Sequence, residues 1–345
     1  MIQRLCETFR YGDLLNKAAV ETDPHLRLAY CAAFCVCGYD LNIYRTTKFF
    51  NPVLGETYEF IDNNLNMRFI GEQVSHHPAI SAMHCEGENF VTYGNNNNKS
   101  TFNLLENSLE IEQIGNNFIE LFNFDEQVSY SKPKSIIRNI IFGDLWVETL
   151  GKTICTNHNN GDMIELTYHN KGKPTKPDFG YIDGYLKDIN GKELMNITGN
   201  WQSTFDVVYK DKNGNEVKKN IWQAEPKKLS REESEKRYNM SDYAINSNND
   251  DPILLKSLPR SDSRLRPDQR ALELGDIKLA ASEKNRIEEK QRAKRKEEVK
   301  NRIVYKPLYF DETYDDLTGD LIYVYKKNYW ENRKNRTWEK APDIF

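Results

Sequence analysis

No stretch of this 345-residue chain approaches the roughly 18 uninterrupted apolar residues that a membrane span needs. The opening MIQRLCETFRYGD breaks any apolar core with charge, so it reads as neither a secretory leader nor an anchor. Charge of one sign is also missing: 48 Lys and Arg stand against 52 Asp and Glu, a formal net of −4. No global field therefore draws the protein to nucleic acid or to an anionic surface, and any attraction to phosphate must be local. The six cysteines include no C-x-x-C pair, and in a chain this long with no secretion signal a disulfide framework is not expected. Cys31, Cys35 and Cys37 crowd one apolar segment, where reduced thiols act as small hydrophobes. There is no G-x-S-x-G elbow, P-loop or H-E-x-x-H, so no enzyme class is indicated. Neither an internal repeat nor a linker divides the chain. A soluble, cytosolic protein is expected.

What is present is an order of elements. Residues 2–20 and 23–37 pattern as helices. Asp23 before Pro24 is a helix start, the carboxylate capping free N–H groups and the proline suiting the first turn. From Leu26 to Val36 the helix is apolar on nearly every face, which predicts burial, and Gly38 ends it. From about Glu56 the pattern alternates over short runs rich in Ile, Phe, Tyr, Val and Thr. Turn signals separate these runs at 86–89, 94–98, 115–117, 159–162, 190–191 and 213–214, with the asparagine run at 95–98 read as a loop tip. Many short strands joined by hairpins predict one large antiparallel meander or barrel ending near Gln223. A charged, turn-rich stretch follows, with a weak helix at 228–239. Pro267 opens a helix that Gly275 closes, and Asp276 caps a long one reaching about Ile303. The aromatic tail, 304–345, reads as β-like. The expected organisation is a single domain over 1–345: helices to residue 40, a barrel over 48–225, helices over 226–303, then the tail.

Three segments carry candidate chemistry. In GEQVSHHP at 71–78, His76 and His77 precede a proline at a strand end, and a turn can aim both rings into one mouth. Paired imidazole donors suit a phosphate. A hydrogen-bonded structural turn and a metal or acid–base site remain open, although His84 and Cys85 fit no common zinc spacing. The loop KFFNPVLGET at 48–57 offers the cation of Lys48 and the amide of Asn51. On the long helix, Lys284, Glu288 and Arg292 form a near-axial stripe. It is either a self-supporting charge ladder or a cationic edge in which Glu288 holds Lys284 and Arg292 ready for phosphate.

These segments resemble, in order, those of the oxysterol-binding-protein-related proteins. GEQVSHHP is similar to the family's EQVSHHPP, KFFNPVLGETYE at 48–59 to its KPxNPxLGE loop, SDSRLRPDQRALELGD at 261–276 to another family block, and Ala341–Phe345 to its usual C-terminal end. Ala79 and Phe49 replace prolines of the pattern. The resemblance implies a mainly β (α+β) fold, a large incomplete antiparallel β-barrel with a central lipid tunnel and flanking N-terminal and C-terminal helices. It implies a non-enzymatic carrier of sterol or phospholipid, exchanged with phosphatidylinositol 4-phosphate, with no cofactor. Headgroup phosphate would meet His76, His77, Lys48, Asn51, Lys284, Glu288 and Arg292, with no catalytic or metal residue. The family's short lid would precede the Ile2 region, where this sequence begins, so faster lipid loss is expected. A monomer in transient contact with membranes is expected.

The physics of transfer fits that implication. Exposing an acyl chain costs about 0.8 kcal/mol per CH₂, over ~10 kcal/mol for a long chain, and a large barrel can enclose a cavity that cancels most of it. Charge-assisted hydrogen bonds of roughly 1.5–3 kcal/mol each then select the headgroup. The alternative is a lipid sensor or scaffold without net transfer. Nucleic acid is not expected: Glu283, Glu288, Glu289, Glu297 and Glu298 interleave the basic residues of 284–302, which marks a solvated helix face.

Overall fold

The computed structural model describes residues 2–40, 42, 43, 45–47, 50–226 and 229–345. The N-terminal part forms α1 (Ile2–Cys6), a 3-10 turn, α2 (Asp13–Ala18) and α3 (Pro24–Cys37). Asp23 caps α3 as expected, its side chain accepting from the backbone N–H groups of His25 and Leu26. Gly38 does end α3, but with φ −64°, not in the left-handed conformation of a glycine cap. Its small size matters instead, since a Cβ there would meet Thr8 Cγ2 at 3.0 Å.

The strands are β1 (Thr57–Asp62), β2 (Met67–His76), β3 (Ala79–Glu86), β4 (Phe90–Asn103), β5 (Ser108–Gln113), β6 (Asn117–Leu121) and β7 (Glu126–Tyr130), then β8 (Lys134–Arg138), β9 (Trp146–Asn157), β10 (Met163–Tyr168), β11 (Tyr181–Lys187), β12 (Glu193–Asn200), β13 (Thr204–Lys210) and β14 (Glu216–Gln223). All fourteen join one antiparallel sheet whose end strands, β1 and β14, do not pair with each other. It is a partial barrel. The long strands β4 and β9 change partner midway. Near one end they are bridged by β6 and β7, near the other by β5 and β8. α3 packs against β7, β9, β10, β13 and β14, which explains why it is apolar on all faces: it lies inside the ring.

After β14 come α4 (Arg231–Lys236), α5 (Asp242–Ser247), α6 (Pro252–Leu255), α7 (Pro267–Glu273) and α8 (Ile277–Lys300). Asp276 caps α8, accepting from Leu279 N–H, and Gly275 takes the left-handed φ of +82° between the two helices. The tail is a hairpin, β15 (Phe310–Tyr314) and β16 (Leu321–Tyr325), followed by a helix, α9 (Tyr329–Asn335), where only β structure was expected.

The asparagine run at 95–98 is not a loop tip. It lies within β4, Asn95 to Asn97 opposite Ile80–Ala82 of β3 and Asn98 opposite Gln113 of β5. Asn95 is buried and exchanges hydrogen bonds with the Leu321 carbonyl and the Tyr323 N–H of the tail hairpin, at 2.8 and 3.3 Å. Partners more than two hundred residues away make strand residues of a turn-forming sequence. Among the described residues no helix is long and apolar enough to cross a membrane.

Candidate functional site

The histidine pair closes β2. A register shift between Gln73 and Ser75 and a cis bond between His77 and Pro78 turn the chain directly into β3, with His76 opposite Ala79. The two rings lie 4.3 Å apart between centroids, tilted by 52°. His77 is exposed and His76 half-buried.

The loop at 50–56 approaches this turn and is held from beneath. Glu56 is buried, accepting from Val53 N–H at 2.9 Å, from the Ser263 hydroxyl at 2.7 Å and from Arg266 at 2.8 Å. Arg266 also donates to the Asn51 carbonyl at 2.8 Å and forms a two-pronged bond with Asp268. Gly55 adopts φ +84°, and a Cβ there would come within 3.1 Å of Pro342 and Tyr305. The C-terminal segment therefore packs on this loop. Val53, Ile287 and Ile344 form a small apolar cluster, and Lys290 of α8 pairs with Asp343 at 2.7 Å.

Gln291 of α8 links the two parts. Its Oε1 accepts from Leu54 N–H at 2.8 Å, and its Nε2 lies 3.1 Å from His76 Nε2. An amide nitrogen only donates, so His76 Nε2 accepts and its proton sits on Nδ1. Burial, then His77, then Arg295 lower the His76 pKa, which agrees with a neutral ring. An arriving phosphate would favour the charged form and a second donor. Leu54, His76, Gln291, Lys294, Arg295 and Ile344 line an open cleft of about 120 Å³. Neither Lys294 nor Arg295 makes an ion pair among the described residues.

The predicted residues are distributed unevenly around this cleft. His76 lines it, His77 stacks beside it, and Asn51 stands exposed on the anchored loop. Lys48 lies outside the described residues. Lys284, Glu288 and Arg292 form the expected ladder, with Lys284–Glu288 at 2.7 Å and Arg292–Glu288 at 3.3 Å, and Arg292 also pairs with Glu289. Lys284 points nearly as Gln291 does but two turns earlier, about 10 Å along the axis. Glu288 and Arg292 wind progressively away from the cleft. The residues missed from sequence are Gln291, Lys294 and Arg295. Gln291 follows buried Ile287 by one helical step on the same face, a spacing that could have singled it out.

Inside the ring, Lys132 was also missed. Ser131 N–H donates to the Ile154 carbonyl of β9 and its hydroxyl accepts from Ile154 N–H, both at 3.0 Å, and Lys132, which follows, comes within electrostatic reach of Cys35 of α3. Burial pushes the Lys132 pKa down to about 8, with Cys35 of α3 acting weakly the other way. His84 is packed against Tyr325, ring centroids 4.7 Å apart, and burial lowers its pKa to about 3. Among the described residues no three His, Cys, Asp or Glu side chains are grouped to hold a metal.

Residues 1–334 match the family model described as oxysterol-binding protein. The chain is 34% identical to human oxysterol-binding protein-related protein 1, covering 100% of this chain and 39% of that protein. It is 35% identical to human oxysterol-binding protein-related protein 3, covering 98% and 37%. It thus spans about two fifths of the length of these relatives. The solved Osh1 ORD domain in complex with cholesterol superposes with a TM-score of 0.90 at 30% identity, over 100% of this chain and 84% of that one. The Osh3 ORD of Saccharomyces cerevisiae, solved in complex with PI(4)P, has the same fold, with a TM-score of 0.81 at 24% identity over 100% and 88%.

Proposed function

The chain belongs to the oxysterol-binding protein family, and from that premise we propose that it binds one membrane lipid at a time inside the partial barrel and carries it, unaltered, between membranes. The observation that carries the reading is the cleft at the barrel's end. It combines a neutral, half-buried His76 positioned by Gln291 with two uncommitted cations, Lys294 and Arg295. Several convergent charge-assisted bonds at roughly 1.5–3 kcal/mol each suffice to select a phosphorylated headgroup over a neutral one. The headgroup is that of phosphatidylinositol 4-phosphate, received in the cleft by His76, His77 and Asn51 with Lys294 and Arg295, with Lys48 and the Lys284–Glu288–Arg292 ladder as outer contacts. The likeness to the cholesterol-bound Osh1 domain supports a sterol as the exchanged cargo. The chain acts as one lipid-binding unit, a cytoplasmic monomer meeting membranes peripherally and transiently.

The test is extraction from liposomes containing cholesterol, phosphatidylserine and phosphatidylinositol 4-phosphate, with the bound species read by mass spectrometry. The wild type is expected to retain the phosphoinositide or the sterol. The H76A/H77A variant is expected to lose the phosphoinositide and keep the sterol. A folded double variant that extracts phosphoinositide normally would remove the headgroup assignment. A folded wild type that retains no lipid would replace transfer with a sensor or scaffold role.

A further inference from the structure

Loop tips are usually polar, because side chains and backbone there face water. Two tips of this barrel invert that rule. The β4–β5 tip presents Leu104 and Leu105, 68% and 98% exposed, and the β8–β9 connection presents Ile140, Ile141 and Phe142, at 37%, 54% and 72%. The two are locked together through buried Asn107. Its side chain accepts from Ile141 N–H at 2.7 Å and donates to the Phe142 carbonyl at 2.8 Å, while its own carbonyl accepts from Ile140 N–H at 3.2 Å. A second clamp runs from Asn139 Nδ2 to the Asp144 carbonyl at 2.9 Å. Backbone polar groups are thus satisfied inward while the apolar side chains point out, a single pre-formed crest.

The placement of this crest identifies its occupant. β4 runs past the start of β3, beside the histidine turn, and continues from Asn98 to Asn103, about 20 Å of strand. The crest therefore leads at the end of the barrel that carries the cleft. Its base is tied to the segment before the cleft loop by the bond from Val147 N–H to the Ile43 carbonyl at 2.9 Å. At the same end, the β10–β11 loop exposes Lys171, Lys173 and Lys176, none ion-paired among the described residues, against the single acid Asp178. On the crest itself Glu106 is neutralised by Arg138 at 2.9 Å, leaving Asp144. Protruding apolar side chains beside a basic loop complement a bilayer interface with anionic headgroups.

We propose that the crest formed by Leu104, Leu105 and Ile140–Phe142 inserts into the membrane interface, with the 171–176 lysines on the anionic headgroups, so that the barrel docks with its cleft end towards the lipid. This names the membrane-contact surface of the carrier and rests on that reading only for its purpose. The six native thiols are buried, so an L105C variant can be labelled selectively with an environment-sensitive fluorophore. With vesicles of phosphatidylcholine and phosphatidylserine, the label is expected to brighten severalfold and to be quenched by spin-labelled acyl chains. The same label at N213C, at the far end of the barrel, is expected to be silent. L105D/F142D is expected to weaken vesicle binding at least tenfold while binding a water-soluble, short-chain phosphatidylinositol 4-phosphate as the wild type does. A label at residue 105 indifferent to vesicles overturns the proposal. So does one that responds only to rising protein concentration, which would make the crest a self-association surface, or an L105D/F142D protein that binds vesicles normally. Vesicle binding through the crest without any lipid extraction would instead defeat the carrier reading and leave the docking surface standing.

Discussion

Replacing Arg266 with alanine removes the cation beneath the loop that carries Asn51. In the folded protein that guanidinium serves Glu56, Asp268 and the Asn51 carbonyl at 2.8–2.9 Å, and all three charged side chains are buried. Truncation strands two carboxylates away from water. Breaking a buried pair by removing one partner costs about 3–5 kcal/mol. Some of this is offset here, because Glu56 keeps Val53 N–H and the Ser263 hydroxyl and Asp268 keeps Gln269 N–H at 2.8 Å. The expectation is therefore about 3 kcal/mol, which for a urea slope near 3 kcal/mol per molar lowers the unfolding midpoint by about 1 M. Adding E56Q to the R266A background removes one stranded charge and is expected to recover part of the loss, whereas E56Q alone is destabilising. Phosphoinositide extraction by R266A, measured where the variant is still folded, is expected to fall because the loop loses its anchor. A midpoint within about 0.2 M of the wild type would refute the account of the loop as charge-anchored.

Three further outcomes follow from groups already described. Lys132 drops from its usual 10.5 to about 8, which at about 1.4 kcal/mol per tenfold change in proton affinity amounts to roughly 3 kcal/mol. The folded state binds the proton less well than the unfolded one, so the penalty is complete below pH 8 and fades towards pH 10.5. K132M is expected to raise the urea midpoint at pH 7 and to lose its advantage at high pH; equal midpoints at pH 7 would contradict a desolvated lysine with no ion pair among the described residues. Burial pushes Glu72 up to about 7 although Leu308 N–H, Tyr309 N–H and the Tyr305 hydroxyl favour its charge. Its contribution is complete below its ordinary 4.5 and is lost as pH rises through 7, so E72Q is expected to flatten the pH dependence of stability between 5 and 7. Q291L removes the bonds to Leu54 and His76; the His76 pKa, followed by NMR, is expected to rise and phosphoinositide affinity to fall about tenfold, from roughly 0.5–1.5 kcal/mol per bond.

What could be read along the chain was whatever is fixed by near neighbours. Asp23 and Asp276 cap the helices they precede, the sheet stops at Gln223, and the Lys284–Glu288–Arg292 ladder forms at its helical spacing. The family motifs added the loop at 48–59 and the tail segment, which spacing alone could not join. What escaped depends on distant partners. The Asn95–Asn98 run has turn chemistry, yet the tail hairpin recruits Asn95 into a strand. Gln291 is marked along the chain only by its helical step from Ile287, and its role comes from Leu54 and His76, more than two hundred residues earlier. The approach of Lys132 to Cys35 of α3 depends on how the segment after β7 is laid against β9, and strand register is invisible without the sheet.

The wiring of β1 also sets a timetable for synthesis. Glu59 is buried, and its partners are Tyr329, at 2.7 Å, and Arg333, at 2.9 Å and 274 residues further on. Glu56 waits for Arg266, and Glu72 for the amides of Leu308 and Tyr309. At about 5–20 residues per second, a ribosome needs roughly 15–55 s to deliver the last of these groups. For that interval the first strands hold acidic side chains whose counterparts do not yet exist, and the free edge of β1 stays open to other chains. A nascent barrel of this kind is open to aggregation until its tail arrives, and a premature stop codon anywhere before Arg333 leaves Glu59 without its cation, however complete the sheet.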